Sequence, residues 1–131
     1  MPLTAEDRLA VHELVALHGH LVDDGDVDGL DRLLTADAVY DVEDYDLGCV
    51  EGLPALRRLF AERPGDQPVG HHVTNVLVTD DGEGRARVRS KGLSVMADGR
   101  AGTVVYEDAV VCTPDGWRIA RRKVVRAPAG R

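Results

Sequence analysis

Four strand-like runs separated by turn residues fill the second half of the chain, and they restrict its fold more than any other feature. From Pro68 onward the sequence reads VGHHVTNVLV, DDGEG, RARVRSKGLSVM, ADGRAG, TVVYEDAVVC, TPDG and WRIARRKVV. Asp-Gly pairs between runs of alternating character are the strongest short-range signal for β-hairpins. The spacing therefore predicts an antiparallel meander. The first half has a different texture. Thr4 can cap a helix whose first turn carries Glu6 and Asp7, where the helix dipole favours negative charge. Ala10, Val11, Leu14, Leu17, His18, Leu21 and Val22 then recur at helical spacing and form one apolar arc, with His18 near its middle. DDGDVDG breaks that helix, LDRLL continues as a short second one, AVYDVEDYDLG reads as a strand fraying into a loop, and EGLPALRRLFAERPG reads as a third helix. Helices gathered ahead of a curved, mostly antiparallel sheet make an α+β architecture in which the sheet wraps around the helices and leaves a cavity. At 131 residues the chain fits one domain, 1–131, long enough to bury roughly two-thirds of its unfolded surface.

Composition narrows the functional classes. A hydrophobic fraction of 44% with 30% charged residues predicts a folded globular chain rather than a disordered one. The net charge of −7 repels phosphate backbones and anionic lipid, so neither nucleic acid nor a membrane is an expected partner. The cations of WRIARRKVVR are split by strand alternation, with Arg121 beside Trp117 and Ile119 on one face and Arg118 and Arg122 on the other. With one aromatic residue for bases to stack on, that stretch reads as a solvated or interfacial strand rather than a single-strand nucleic-acid site. No apolar run approaches the roughly 20 residues a bilayer requires, and MPLTAEDRLAVHEL is acidic where a secretory signal is basic, so the expected location is cytoplasmic.

Cys49 and Cys112 show no metal-ligand spacing and read as small apolar residues. HGH invites a metal reading, but His18 and His20 point to nearly opposite sides of a helix, so no metal site is expected. There is no glycine-rich phosphate loop, no GxSxG elbow and no cysteine beside a histidine. The chemistry these residues favour is proton transfer without a cofactor.

The order of elements, with ALHGHLVDDGDVDGLDRLLTADAVYDV, EGLPALRRLF, HHVTNVLV and DGWRIARRKVV, resembles the SnoaL-like branch of the nuclear transport factor 2-like (NTF2-like) superfamily over nearly the whole chain. The resemblance implies a cone-shaped α+β barrel with a deep pocket and a homodimer formed through the outer face of the sheet. It also implies a range of activities: dehydratases, isomerases, polyketide cyclases, epoxide hydrolases and non-catalytic binding or assembly proteins. A shared fold does not choose among them.

In VGHHVTNVLV, alternation places His71, Val73, Asn75 and Leu77 on one face and His72, Thr74, Val76 and Val78 on the other. Periodicity does not decide which face lines a pocket, since both carry apolar residues. The family resemblance matches a histidine followed four residues later by an asparagine to His71 and Asn75, and implies that this pair faces the pocket. His72 then belongs to the outer layer or to a dimer partner. The resemblance also implies a carboxylate at the end of the first helix that orients the strand histidine, and Asp23 stands there. It places His18 where many family dehydratases have a tyrosine. An imidazole there can donate a hydrogen bond or titrate, so His18 reads either as the acid for a leaving hydroxyl or as a sign that the dehydratase reaction is absent. Tyr40 and Tyr106 are candidates for orienting a substrate oxygen or for plain core packing. Asp108 shares the face of Tyr106 and is a rival base if that face is interior; exposure on the outer sheet surface is the simpler expectation.

These readings converge on a lyase or isomerase of dehydratase or cyclase type. His71, oriented by Asp23, would remove a proton next to a carbonyl, and His18 or a tyrosine would hold the developing oxyanion or protonate the departing group. The expected substrate is an apolar, oxygenated small molecule of polyketide, steroid or aromatic type. The alternative is a non-catalytic binding or assembly protein of the same fold. An epoxide hydrolase is a weaker alternative, because it needs a relay of two aspartates and an arginine that the sequence does not display.

Overall fold

The computed structural model describes residues 2–63 and 65–127. Helix α1 (Ala5–Asp24) leads through a 3-10 turn (Asp28–Arg32) to strand β1 (Leu34–Asp41), and a second 3-10 turn (Glu43–Tyr45) leads to the short β2 (Cys49–Glu51). Helix α2 (Leu53–Ala61) follows, and then β3 (Gly70–Asp80), β4 (Arg85–Val95), β5 (Ala101–Thr113) and β6 (Gly116–Arg126). The strands form one six-stranded sheet in the order β2-β1-β6-β5-β4-β3. Every pairing is antiparallel except β1 with β6, which is parallel. The expected meander is β3 to β6. The sheet is open rather than closed into a barrel, because β2 and β3 are edges that do not pair with each other.

Local chemistry explains the ends of α1. Thr4 accepts from the Asp7 amide while the Asp7 carboxylate accepts from the Thr4 amide, a reciprocal cap that satisfies two orphan donors. At the other end Gly25 adopts φ 67°, and its amide reaches back to Leu21 and Val22. The inner arc of α1 places Val11 and Val15, both fully buried, in one apolar cluster with Leu34, Leu56, Val110 and Ile119. Each such side chain contributes about 1.5–3 kcal/mol on burial, so this cluster fixes α1 in the concave face of the sheet.

Two departures from strand alternation have the same cause. In β3 the register slips between Thr74 and Leu77, and Asn75 has φ 56°. This bulge inserts one residue and reverses the parity beyond it. His71 and Val73 face inward before it, whereas Val76 and Val78 pack on the core after it, so Asn75 and Leu77 are exposed and do not share the face of His71. In β6 the register slips at Ala120, opposite the Ala109/Val110 step of β5. Ile119 and Arg122, three residues apart, are thereby both turned inward and both 0% exposed. The charge run of β6 is thus not a purely solvated strand. Asp108 is also interior, at 2% exposure, which overturns the expectation of an outer-surface carboxylate. Cys49 and Cys112 are exposed thiols rather than packed apolar residues. Among the described residues no helix is long and apolar enough to cross a membrane.

Candidate active site

The concave face of the sheet and helices α1 and α2 enclose a cavity of about 510 Å³, within the range of small-molecule sites. His18, Tyr40, Phe60, Arg63, His71 and Tyr106 contribute to its lining, which is otherwise largely apolar. No aspartate or glutamate lines it among the described residues.

His71 stands near the start of β3, where the strand crosses the C-terminal turns of α1. Gly19 permits that crossing. A Cβ at position 19 would overlap the His71 carbonyl oxygen, so a side chain there would force helix and strand apart. The approach lets Asp23 hold His71 twice. Its Oδ1 lies 2.6 Å from Nδ1 of the ring and its Oδ2 accepts the His71 amide at 3.0 Å. Partial burial pushes the Asp23 carboxyl up, but the two hydrogen bonds from His71, with the charges of His71 and His72, outweigh it and leave the group below its ordinary value. Asp23 is therefore a carboxylate at neutral pH, an acceptor suited to fixing the imidazole with Nδ1 protonated and Nε2 free to accept.

His18 lies on the buried side of α1, its ring 6.2 Å from that of His71 and 5.7 Å from that of Tyr106. Five residues separate His18 from Asp23, and on an unbroken helix they do not share a face. His71 bridges the two. Burial first, then the positive charges of Arg122, His71 and Arg63, hold the His18 pKa well below the ordinary imidazole value. His18 is neutral at physiological pH, and its Nδ1 has no hydrogen-bond partner among the described residues. A neutral imidazole is a hydrogen-bond donor or acceptor rather than a cation.

Tyr40 and Tyr106 line the cavity above a sealed ion pair. Arg122 donates through Nε and Nη2 to the two carboxylate oxygens of Asp108, both at 2.8 Å, and neither side chain has any exposure. The guanidinium carbon of Arg122 sits 4.0 Å from the centre of the Tyr106 ring. Gly92 leaves room for that ring, since a Cβ there would fall 2.5 Å from it. Burial pushes the Tyr40 hydroxyl up to about 12 against the pull of Arg122, and raises Tyr106 as well, so both phenols stay protonated. The Tyr40 hydroxyl and Arg122 Nη1 lie in each other's field, yet neither completes a hydrogen bond among the described residues.

The structure thus brings together His71, Asp23, His18, Tyr40 and Tyr106. Asn75 is outside the group, turned to solvent by the bulge. His72 is exposed on the outer side of β3. The Asp108–Arg122 pair supplies one aspartate to its arginine and does not line the cavity, so it does not form the relay an epoxide hydrolase needs. Sequence reasoning passed over Arg63, which follows α2 and lines the cavity, because a cation in a polar turn carries no periodic signal. Outside the cavity, Asp41, Glu43 and Cys49 bring ligand-type atoms within 4.8 Å of one another, but Asp41 is already engaged by Arg121 and by the Glu43 amide.

The model of the SnoaL-like domain family matches residues 3–123. The chain belongs to that family. Its fold is that of the NTF2-like superfamily. The uncharacterised Mycobacterium tuberculosis protein Rv2910c is 34% identical over 123 residues, covering 88% of this chain and 82% of its own. A Novosphingobium aromaticivorans protein provisionally named an aromatic ring hydroxylase has a crystal structure that is 30% identical, with a TM-score of 0.79 over 96% of this chain and 92% of its own. A second protein from that organism, provisionally named a scytalone dehydratase, shares the fold with a TM-score of 0.74 at 20% identity, covering 98% and 99% of the two chains.

Proposed function

We propose that this protein is a lyase or isomerase of dehydratase or cyclase type that works by proton transfer on an apolar, oxygenated ring compound. The observation that carries this reading is the 2.6 Å contact between Asp23 and Nδ1 of His71 at the wall of an apolar cavity. Asp23 accepts a hydrogen bond from Nδ1–H, so Nε2 is the nitrogen that removes a proton from carbon next to a carbonyl. The electron pair left by that proton moves onto the carbonyl oxygen. Neutral His18 and the protonated phenols are donors suited to holding the resulting oxyanion. In a dehydration the enolate re-forms the carbonyl and expels the β-hydroxyl, which leaves as water with the proton carried by Nε2; in a cyclisation it attacks a second carbonyl, whose oxygen takes that proton.

Deuterium exchange from heavy water into 2-tetralone, followed by NMR, tests the base directly. The wild-type protein is expected to accelerate exchange next to the carbonyl. His71→Gln should lower that acceleration about 10²–10⁴-fold, the usual contribution of general base catalysis, while 2-tetralone affinity is retained. Equal exchange by His71→Gln would remove His71 from the reaction. Tight binding of cyclic ketones with no exchange by the wild type would favour the non-catalytic binding reading.

A further inference from the structure

We propose that the cavity selects ligands bearing a carboxylate or a comparable anionic oxygen group, with Arg63 as the residue that reads it. This deepens the functional reading, because it rests on the same cavity being the substrate site.

The paired arginines set the contrast. Arg32 has Asp26, Arg87 has Asp81, Arg121 has Asp41, and Arg122 has Asp108. Arg63 lines the cavity and has no carboxylate within 4.0 Å among the described residues. Asp23 lies close enough to act on Arg63 through its charge, but both of its oxygens are held by His71. Arg63 Nε is buried and makes no hydrogen bond among the described residues. Leaving such a donor dry and unpaired is unfavourable, and a ligand oxygen relieves it. The guanidinium carbon lies 5.9 Å from the centre of the Phe60 ring, which gives the charged group an aromatic neighbour in the same lining.

The rest of the lining agrees in sign. No carboxylate is among its described residues, and the guanidinium beneath it is already held by Asp108, which leaves Arg63 as the arginine of the lining without a carboxylate at hydrogen-bond distance. A guanidinium facing an apolar cavity suits a planar two-oxygen anion better than a neutral carbonyl, because it can donate two parallel charge-assisted bonds. The ligand class that follows is a ring-sized apolar acid, such as an aromatic or polycyclic carboxylic acid, with its acidic group toward Arg63 and its ring among Phe60, Tyr40 and Tyr106.

Isothermal titration with 2-naphthoate and its uncharged isostere 2-naphthamide tests the assignment. Wild-type protein should bind the carboxylate about 10- to 100-fold more tightly than the amide, the range expected for hydrogen bonds to a charged group. Arg63→Gln should abolish most of that preference, and Arg63→Lys should keep part of it. The proposal is overturned if the two compounds bind equally, if neither binds at millimolar concentration, or if Arg63→Gln retains the full preference. His71→Gln separates this proposal from the catalytic one. It should retain the carboxylate preference even where ketone exchange is lost, so either reading can fail without the other.

Discussion

Two aspartates hold two basic side chains, and their surroundings give them different work. Asp23 and His71 meet at the cavity wall with side chains 27% and 14% exposed. Asp108 and Arg122 meet in a sealed interior with no exposure on either side and two parallel bonds of 2.8 Å. The first pair ends in an imidazole, whose second ring nitrogen can accept a hydrogen bond or a proton from a ligand; the second ends in a guanidinium, which has no acceptor. The rim pair is therefore able to exchange protons with a ligand, while the sealed pair is a fixed strut that braces the Tyr106 ring from below. A short contact between opposite charges does not identify a reacting group. Access and a titratable partner do.

The sharpest way to break the comparison is to remove one member of each pair. Asp108→Ala leaves Arg122 buried and unpaired and should destabilise the fold by about 3–5 kcal/mol in urea unfolding, whereas Asp23→Ala at the rim should cost no more than about 1 kcal/mol. Replacing both sealed partners by apolar residues, Asp108→Leu with Arg122→Met, should recover much of that loss, since a buried pair contributes little beyond what well-packed hydrocarbon does. Activity should show the opposite order. Asp23→Asn should lower ketone exchange about 10²-fold, the low end of general base catalysis, because the ring loses its charged acceptor while the fold persists.

Gly19→Ala tests whether the rim pair depends on the close crossing of α1 and β3. Its Cβ would overlap the His71 carbonyl oxygen, and overpacking of this kind costs about 1–3 kcal/mol, read by thermal unfolding together with a loss of exchange.

The smallest effect concerns pH. His18 in the folded protein resists protonation, while the unfolded chain takes up that proton near pH 6.5. The unfolded state thus binds more protons below that pH, so stability falls as pH drops from 7 toward 5. His18→Gln should remove about 1 kcal/mol of that fall, measured as the difference between the two proteins' stabilities at pH 7 and pH 5.5. Asp23 acts in a lower window. Its depressed pKa stabilises the fold above the ordinary carboxylate range, and the contribution is lost as pH falls through the folded value.

Much of the architecture was legible because it is written in short-range patterns. The turn residues between the strand runs located β3 to β6, and the Thr4 cap with the apolar arc located α1. The placement of His71 and Asp23 came from resemblance, and the geometry brings the two together. Strand β2, three residues long, gave no periodic signal to read. Asn75, Arg122 and Asp108 were misplaced for reasons that alternation cannot contain. One inserted residue in β3 and one in β6 reverse which side chains face inward, and a carboxylate is stable in the interior only when a cation arrives from a neighbouring strand.

The sequence by itself determined the elements, their order, the acidic balance of the chain and the supply of titratable groups, since these follow from neighbours a few residues apart. Tertiary structure alone decided which of those groups share a cavity and which are sealed. That choice depends on bulges, on the close crossing at Gly19 and on partners 14 to 48 residues away, where pairing energy rather than local propensity sets the outcome.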